Sequence, residues 1–174
     1  MISQRDKDIL RALAVQQAEI AALPVHAEKT VLWRRLNQLD AVRPMVWINE
    51  IPWHEMDVAV ETQNLASLRL QTTDPWARQV ETSLRRRLYQ WHYMPGDMVV
   101  DDYLMCPLVI HNTGFGITED VDIVKTDEAS SVVSRRFHRQ ISEPEDIEKI
   151  QMPQVCYDAA ATETRYQMMA DIFG

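Results

Sequence analysis

The chain has 174 residues, 46% of them hydrophobic and 25% charged, which places it among folded proteins and excludes disorder as its dominant state. Acidic residues outnumber basic ones by 26 to 18, for a formal net charge of −8, and this excludes a nucleic-acid surface built on surplus Lys and Arg. Cys106 and Cys156 have neither CxxC spacing nor a nearby His pattern, so reduced, buried thiols are expected in place of a disulfide framework or a zinc knuckle.

The run Arg5-Asp6-Lys7-Asp8 interrupts any leader-like apolar stretch, and no run of about 18 apolar residues offers a membrane helix. A cytoplasmic location is the expectation. Two helices open the chain. Over residues 2–23 the stripe Ile9, Leu10, Leu13, Ile20 and Leu23 has helical spacing, and Pro24 breaks it. Over 27–39 the positions Val31, Leu32, Leu36 and Leu39 repeat the pattern, until Arg43-Pro44 forces extended geometry.

Met45-Val46-Trp47-Ile48 then reads as a short strand buried on both faces. An irregular segment follows to Thr73. Asp74-Pro75 supplies an N-cap and a first-turn proline for a helix reaching Met94, with Trp76, Val80, Leu84, Leu88 and Trp91 on one face. Arg85-Arg86-Arg87 on that helix reads as solvated surface or ion-pair partners. Pro95-Gly96 ends it, and Met98-Val99-Val100 is a second buried-strand candidate. Strand, helix and strand in that order predict a parallel βαβ unit with a right-handed crossover.

Beyond Gly114 the pattern alternates. Residues 116–124 and 132–137 predict an antiparallel hairpin across a polar turn. Ser142 with Glu145 fits a capping box opening a short helix at 146–150. Asp158 is placed to cap a last helix carrying Tyr166, Met169, Ile172 and Phe173.

Three segments in this order resemble the uroporphyrinogen decarboxylase superfamily: RRLNQLDAVRPMVW at 34–47, DMVVDDYLMCPL at 97–108 and ISEPEDIEKIQMP at 141–153. The resemblance covers about residues 30 to 155. It implies an α/β fold in which an N-terminal helical extension, 1–41, precedes the first two or three β/α units of a (β/α)8 barrel, 42–174, with a β-hairpin insertion. Such barrels need about 250 residues, so the expectation is an incomplete barrel: a fragment or one half of a split protein, inactive by itself.

Barrel active sites sit at the C-terminal ends of strands. That rule gathers Asn49, Glu50 and His54 after the first strand candidate with Asp101, Asp102 and Tyr103 after the second. Asp101, Asp102, Tyr103 and His54 are the catalytic candidates, the paired acids serving as proton donor and acceptor. Asn49, Glu50 and His111 are candidates for binding substrate. The bland readings stand beside these: a solvated loop for the acids, a packed side chain for His54, and a tight turn at Gly114 and Gly116 near His111.

Within the resemblance, the porphyrinogen branch carries arginines where this chain reads Asn-Glu-Ile-Pro-Trp-His-Glu, and its catalytic acid falls on Tyr103 in an ungapped comparison, with Asp102 one residue early. Glu50, Glu55, Asp101 and Asp102 would repel a polycarboxylate. The branch of corrinoid-dependent methyltransferases is therefore the preferred expectation. It implies no metal or cofactor in this chain, with zinc and a corrinoid partner for the complete protein. The expected partners are a small-molecule substrate, the remaining barrel segment or a corrinoid protein, and a second copy in a homo-oligomer, with no nucleic acid and no membrane. The alternative is a non-catalytic α/β module for binding or dimerisation.

Overall fold

The computed structural model describes residues 2–40, 42–53, 68–124 and 133–174. It is a mixed α and β structure that falls into two compact units, Met1–Met105 with Met169–Gly174, and Cys106–Met168. Both opening helices belong to the first unit together with the long third helix.

In the first unit, α1 spans Gln4–Ala21, α2 Pro24–Asn37 and α3 Pro75–Tyr93. Ser3 caps α1 by accepting from the Asp6 amide, and Asp74 caps α3 by accepting from Trp76 and Ala77, with Pro75 in the first turn as predicted. Helices α1 and α3 pack together. Their meeting faces are not wholly apolar: α1 buries Asp6, Leu10, Leu13 and Gln17, and α3 buries Ala77, Glu81 and Leu84. The predicted α3 face shifts accordingly, and Trp76 and Trp91 are only half-buried. On α2, Val31 points outward and His26 is buried, and Leu39, expected on this helix, lies exposed beyond its end.

Buried acids organise this unit by capturing backbone amides. Asp6 accepts from the amides of Thr73 and Asp74, the latter at 2.9 Å. Glu81, with no exposed surface, accepts from the amides of Gln71 and Thr72, the Thr72 hydroxyl at 2.6 Å and Arg85 Nε at 2.7 Å. The segment leading into α3 is thus held from both helices by charge-assisted hydrogen bonds.

The predicted parallel βαβ unit is not formed. Residues 45–48 and 98–100 have no regular secondary structure and belong to no ladder, and all strand pairing among the described residues is antiparallel. Side chains take the backbone groups that a ladder would use. The Val46 amide donates to the Asp97 carboxylate at 2.8 Å, and the Val100 amide donates to His26 Nδ1 at 3.2 Å. One backbone bond, Asp97 N to Val46 O at 2.8 Å, joins the two segments. Gly96 makes the close approach with φ +45, and a Cβ there would lie 2.9 Å from Val46 O. Met98 and Val100 are buried as expected, but Val46 and Trp47, expected to be buried on both faces of a strand, are 55% and 52% exposed, because no sheet forms to cover them.

In the second unit, β1 (Ile110–Asn112) pairs antiparallel with β4 (Val155–Tyr157), and β2 (Val121–Val124) with β3 (Ser134–Phe137). The second pair is the predicted hairpin. The predicted helix at 146–150 is a 3-10 helix, Pro144–Lys149, whose cap lies one residue later than Ser142 and Glu145 suggest. There Asp146 accepts from the Ser142 and Glu143 amides at 2.8 and 3.0 Å. Helix α4, Ala159–Phe173, is capped by Asp158, which accepts from the Ala161 amide at 2.8 Å. Its last turn belongs to the first unit, where Ile172 is buried. No described helix is long and apolar enough to cross a membrane.

Candidate functional site

The groove beside α3 in the first unit is lined by one of the residues the sequence pointed to, Asp101. It has a volume of about 500 Å3. One wall is a helical stripe of α3, running from Gln79 through Ser83, Arg86 and Arg87 to Gln90. These positions recur at three- and four-residue steps on the side of the helix opposite Ala77, Glu81 and Leu84. The other wall is Trp47 and Trp53 from the segment after Arg43-Pro44, with Met98, Val99 and Asp101. Gln90 fastens the walls together by donating to the Ile48 carbonyl at 2.9 Å.

The guanidinium of Arg86 lies 5.1 Å from the Trp53 ring centroid, within the range of cation–π attraction. Arg87 is positioned by Gln17, which is 2% exposed. Gln17 Oε1 accepts from Arg87 at 3.1 Å, and its Nε2 donates to the Asp101 carbonyl at 2.8 Å. A single buried amide therefore fixes the distance between a guanidinium and the backbone of a candidate acid.

The predicted residues divide. Asp101 lines the groove, with Asp102 and Tyr103 exposed in the adjacent turn. Asn49 and Glu50 are exposed on the segment between Trp47 and Trp53 and are not part of the lining. His54 lies outside the described residues. His111 belongs to the second unit, where its Nε2 is 3.4 Å from Asp158 Oδ2 in an exposed pair. The Asp158 carboxyl is held below its ordinary range, first by the Ala161 amide and then by His111. Arg86, Arg87 and Gln17 were not singled out from the sequence as site residues. The polar stripe at 79, 83, 86, 87 and 90 is the signal that would have found the first two.

Behind the groove sits a second histidine. His26 is buried, its ring 4.7 Å from that of Trp91, and Nδ1 accepts from Val100. Burial, followed by nearby Lys29, lowers its pKa. An imidazole whose Nδ1 accepts an amide is the neutral tautomer with its proton on Nε2. His26 thus acts as a structural acceptor for the turn that carries Asp101.

For metal chemistry, no three His, Cys, Asp or Glu side chains gather into a metal-binding group among the described residues. Cys106 is half-buried and Cys156 is exposed, which corrects the expectation of two buried thiols. No family model matches the chain, and no curated protein and no solved structure is significantly similar to it.

Proposed function

We propose that the chain is the N-terminal part of a uroporphyrinogen decarboxylase-like enzyme, an incomplete (β/α)8 barrel that is inactive by itself. The carrying observation is in the second unit, where none of the described residues is buried. Its large apolar side chains face outward, among them Phe115 at 60%, Phe137 at 65% and Met152 at 88% exposure. Exposed apolar area on that scale is the mark of a surface that is covered by further protein, and two-stranded ribbons are marginal by themselves. The remaining strand–helix units of the barrel are the partner this reading assigns to it, in a cytoplasmic protein that acts on a small molecule.

Within the superfamily, the reading favours a corrinoid-linked one-carbon methyltransferase over a porphyrinogen decarboxylase. The stretch from Asn49 to Glu55 offers no arginine, and Glu50, Glu55, Asp101 and Asp102 would repel a porphyrinogen with its many carboxylates. Asp101 and Asp102 are the proposed proton-transfer pair, with Tyr103, His54, Asn49, Glu50 and His111 as the other proposed site residues. Zinc, which would hold a thiolate for methyl transfer, belongs in this reading to the later barrel.

The test is complementation. The isolated chain is expected to give no methyl transfer to a corrinoid and no release of CO2 from a porphyrinogen. Supplying the remaining barrel segment should restore methyl transfer, and Asp101→Asn or Asp102→Asn should reduce it. Turnover by the isolated chain would overturn the fragment reading. A stable, monodisperse homodimer with no activity under any of these conditions would favour the dimerisation module.

A further inference from the structure

We infer that His26 is an acid-sensitive latch: its neutral ring holds residues 98–101 against α2, and protonation of that ring frees the segment, Asp101 included. The consequence for the proposed site rests on that reading's use of Asp101, and the latch itself stands apart from it.

The geometry carries it. His26 lies in the first turn of α2, is 5% exposed and packs its ring 4.7 Å from that of Trp91. Nδ1 accepts from the Val100 amide at 3.2 Å. Buried Nε2 makes no hydrogen bond among the described residues, the nearby Ile20 carbonyl being taken by the Leu23 amide. A proton on Nδ1 therefore turns the acceptor into a donor facing the Val100 N–H and leaves two buried donors unpaired. The new charge also meets positive surroundings. One source is the positive end of the α2 dipole, and the other is Lys29, whose Nζ lies 5.2 Å from the Trp91 centroid and donates to the Gly96 carbonyl at 3.0 Å. Asp101 and the Ile20 carbonyl favour the charged ring, but burial and Lys29 outweigh them and hold the His26 pKa below 6.5. The hinge is Asp97, which stays anchored by Arg43 and by the Val46 amide. Burial of Met98 and Val100 opposes opening, so acid raises a minor open population and does not empty the closed one.

A folded-state pKa below the ordinary value gives a hold that is complete above pH 6.5 and is lost as pH falls toward the folded value. In the full chain, the ring nitrogen signals should show the Nε2–H tautomer at neutral pH and a titration midpoint below 6.5. Val100 amide exchange, corrected for intrinsic pH dependence, should speed up between pH 6.5 and 4.5, by up to about tenfold per pH unit. Across that range it should stay faster than exchange of the Leu84 amide in the middle of α3, which reports opening of the whole unit. His26→Gln keeps an oxygen acceptor for the Val100 amide but cannot titrate, and should abolish the step. Lys29→Met should raise the His26 midpoint. The wild-type signals decide the matter by themselves if either variant fails to fold. The inference is overturned by a His26 midpoint at or above 6.5, by Val100 exchange without the step, by Val100 exchange no faster than that of Leu84, or by a step that persists in His26→Gln. Failure here leaves complementation by the barrel segment intact, and failed complementation leaves these signals intact, so the two readings fall separately.

Discussion

Arg43 and Asp97 form a two-point ion pair, Nη2 to Oδ1 at 2.6 Å and Nη1 to Oδ2 at 2.9 Å, and this pair does the joining that a parallel ladder was expected to do. Asp97 is nearly buried and also accepts from the Val46 amide, so its carboxyl is held far below the ordinary range, first by Arg43 and then by that amide. Asp97→Asn keeps the volume but loses the charge and one acceptor. The expected outcome is a lower thermal midpoint together with changed indole signals for Trp33, which donates to the Asp97 carbonyl at 2.8 Å, and for Trp47. An unchanged melt and unchanged signals would remove this pair from the fold's framework.

Glu81 is the stronger stability test because it has no exposed surface and takes four donor groups. Glu81→Ala strands those donors and leaves Arg85 without this carboxylate, which should cost about 3–5 kcal/mol. Leu84→Ala, one turn further along the same buried face, should cost about 2–5 kcal/mol through its cavity. Trp76→Ala and Trp91→Ala, at half-buried positions, should each cost less than Leu84→Ala. Urea midpoints for the four variants check the ordering.

Acid should unfold the first unit through these same carboxylates. Burial raises the Glu81 carboxyl, but Thr72, Arg85 and Gln71 together outweigh it and hold it below its ordinary value of 4.5. Asp6 is held below 3.8, chiefly by the Asp74 amide. A folded-state pKa below the unfolded one gives stability that is present at higher pH and is lost as pH falls through the folded value. Urea midpoints should therefore be level at neutral pH and fall steadily below about pH 4.5, with a shallower fall in Glu81→Gln. A midpoint that rises on acidification would reverse the sign and refute this account.

The β2–β3 hairpin should respond in the opposite direction. His138 sits between Asp120, 3.2 Å from Nδ1, and Asp122, 2.9 Å from Nε2, and these carboxylates, Asp120 first, raise its pKa above 6.5. Its contribution is complete below pH 6.5 and is lost as pH rises through the folded value. The His138 ring signal should titrate with a midpoint above 6.5, and Asp122→Asn should lower that midpoint. Amide exchange in Val121–Val124, corrected for intrinsic pH dependence, should speed up over the same range. A midpoint at or below 6.5 would disprove the pairing.

The sequence by itself determined the elements whose causes are local. The α3 helix was legible from Asp74-Pro75 and its periodicity, α4 from the Asp158 cap, and the β2–β3 hairpin from alternation around a short polar turn, because each of these signals lies within a few residues of its effect. Asp101, Asp102 and Tyr103 were legible as a polar end to an apolar run for the same reason. Only the tertiary structure decided the rest. Asp6 and Glu81 look like ordinary solvent-facing helix residues, and what buries them is the choice of the 71–74 amides as partners, which lie 67 positions from Asp6 in the case of Thr73. The β1–β4 pairing joins Ile110 to Tyr157, and three-residue strands carry too little pattern to announce a partner so distant. The run at 45–48 failed as a strand for the converse reason. Its Val46 and Trp47 are more than half exposed, and the Val46 amide is satisfied by a carboxylate as well as by a neighbouring strand, an acceptor that periodicity cannot foresee.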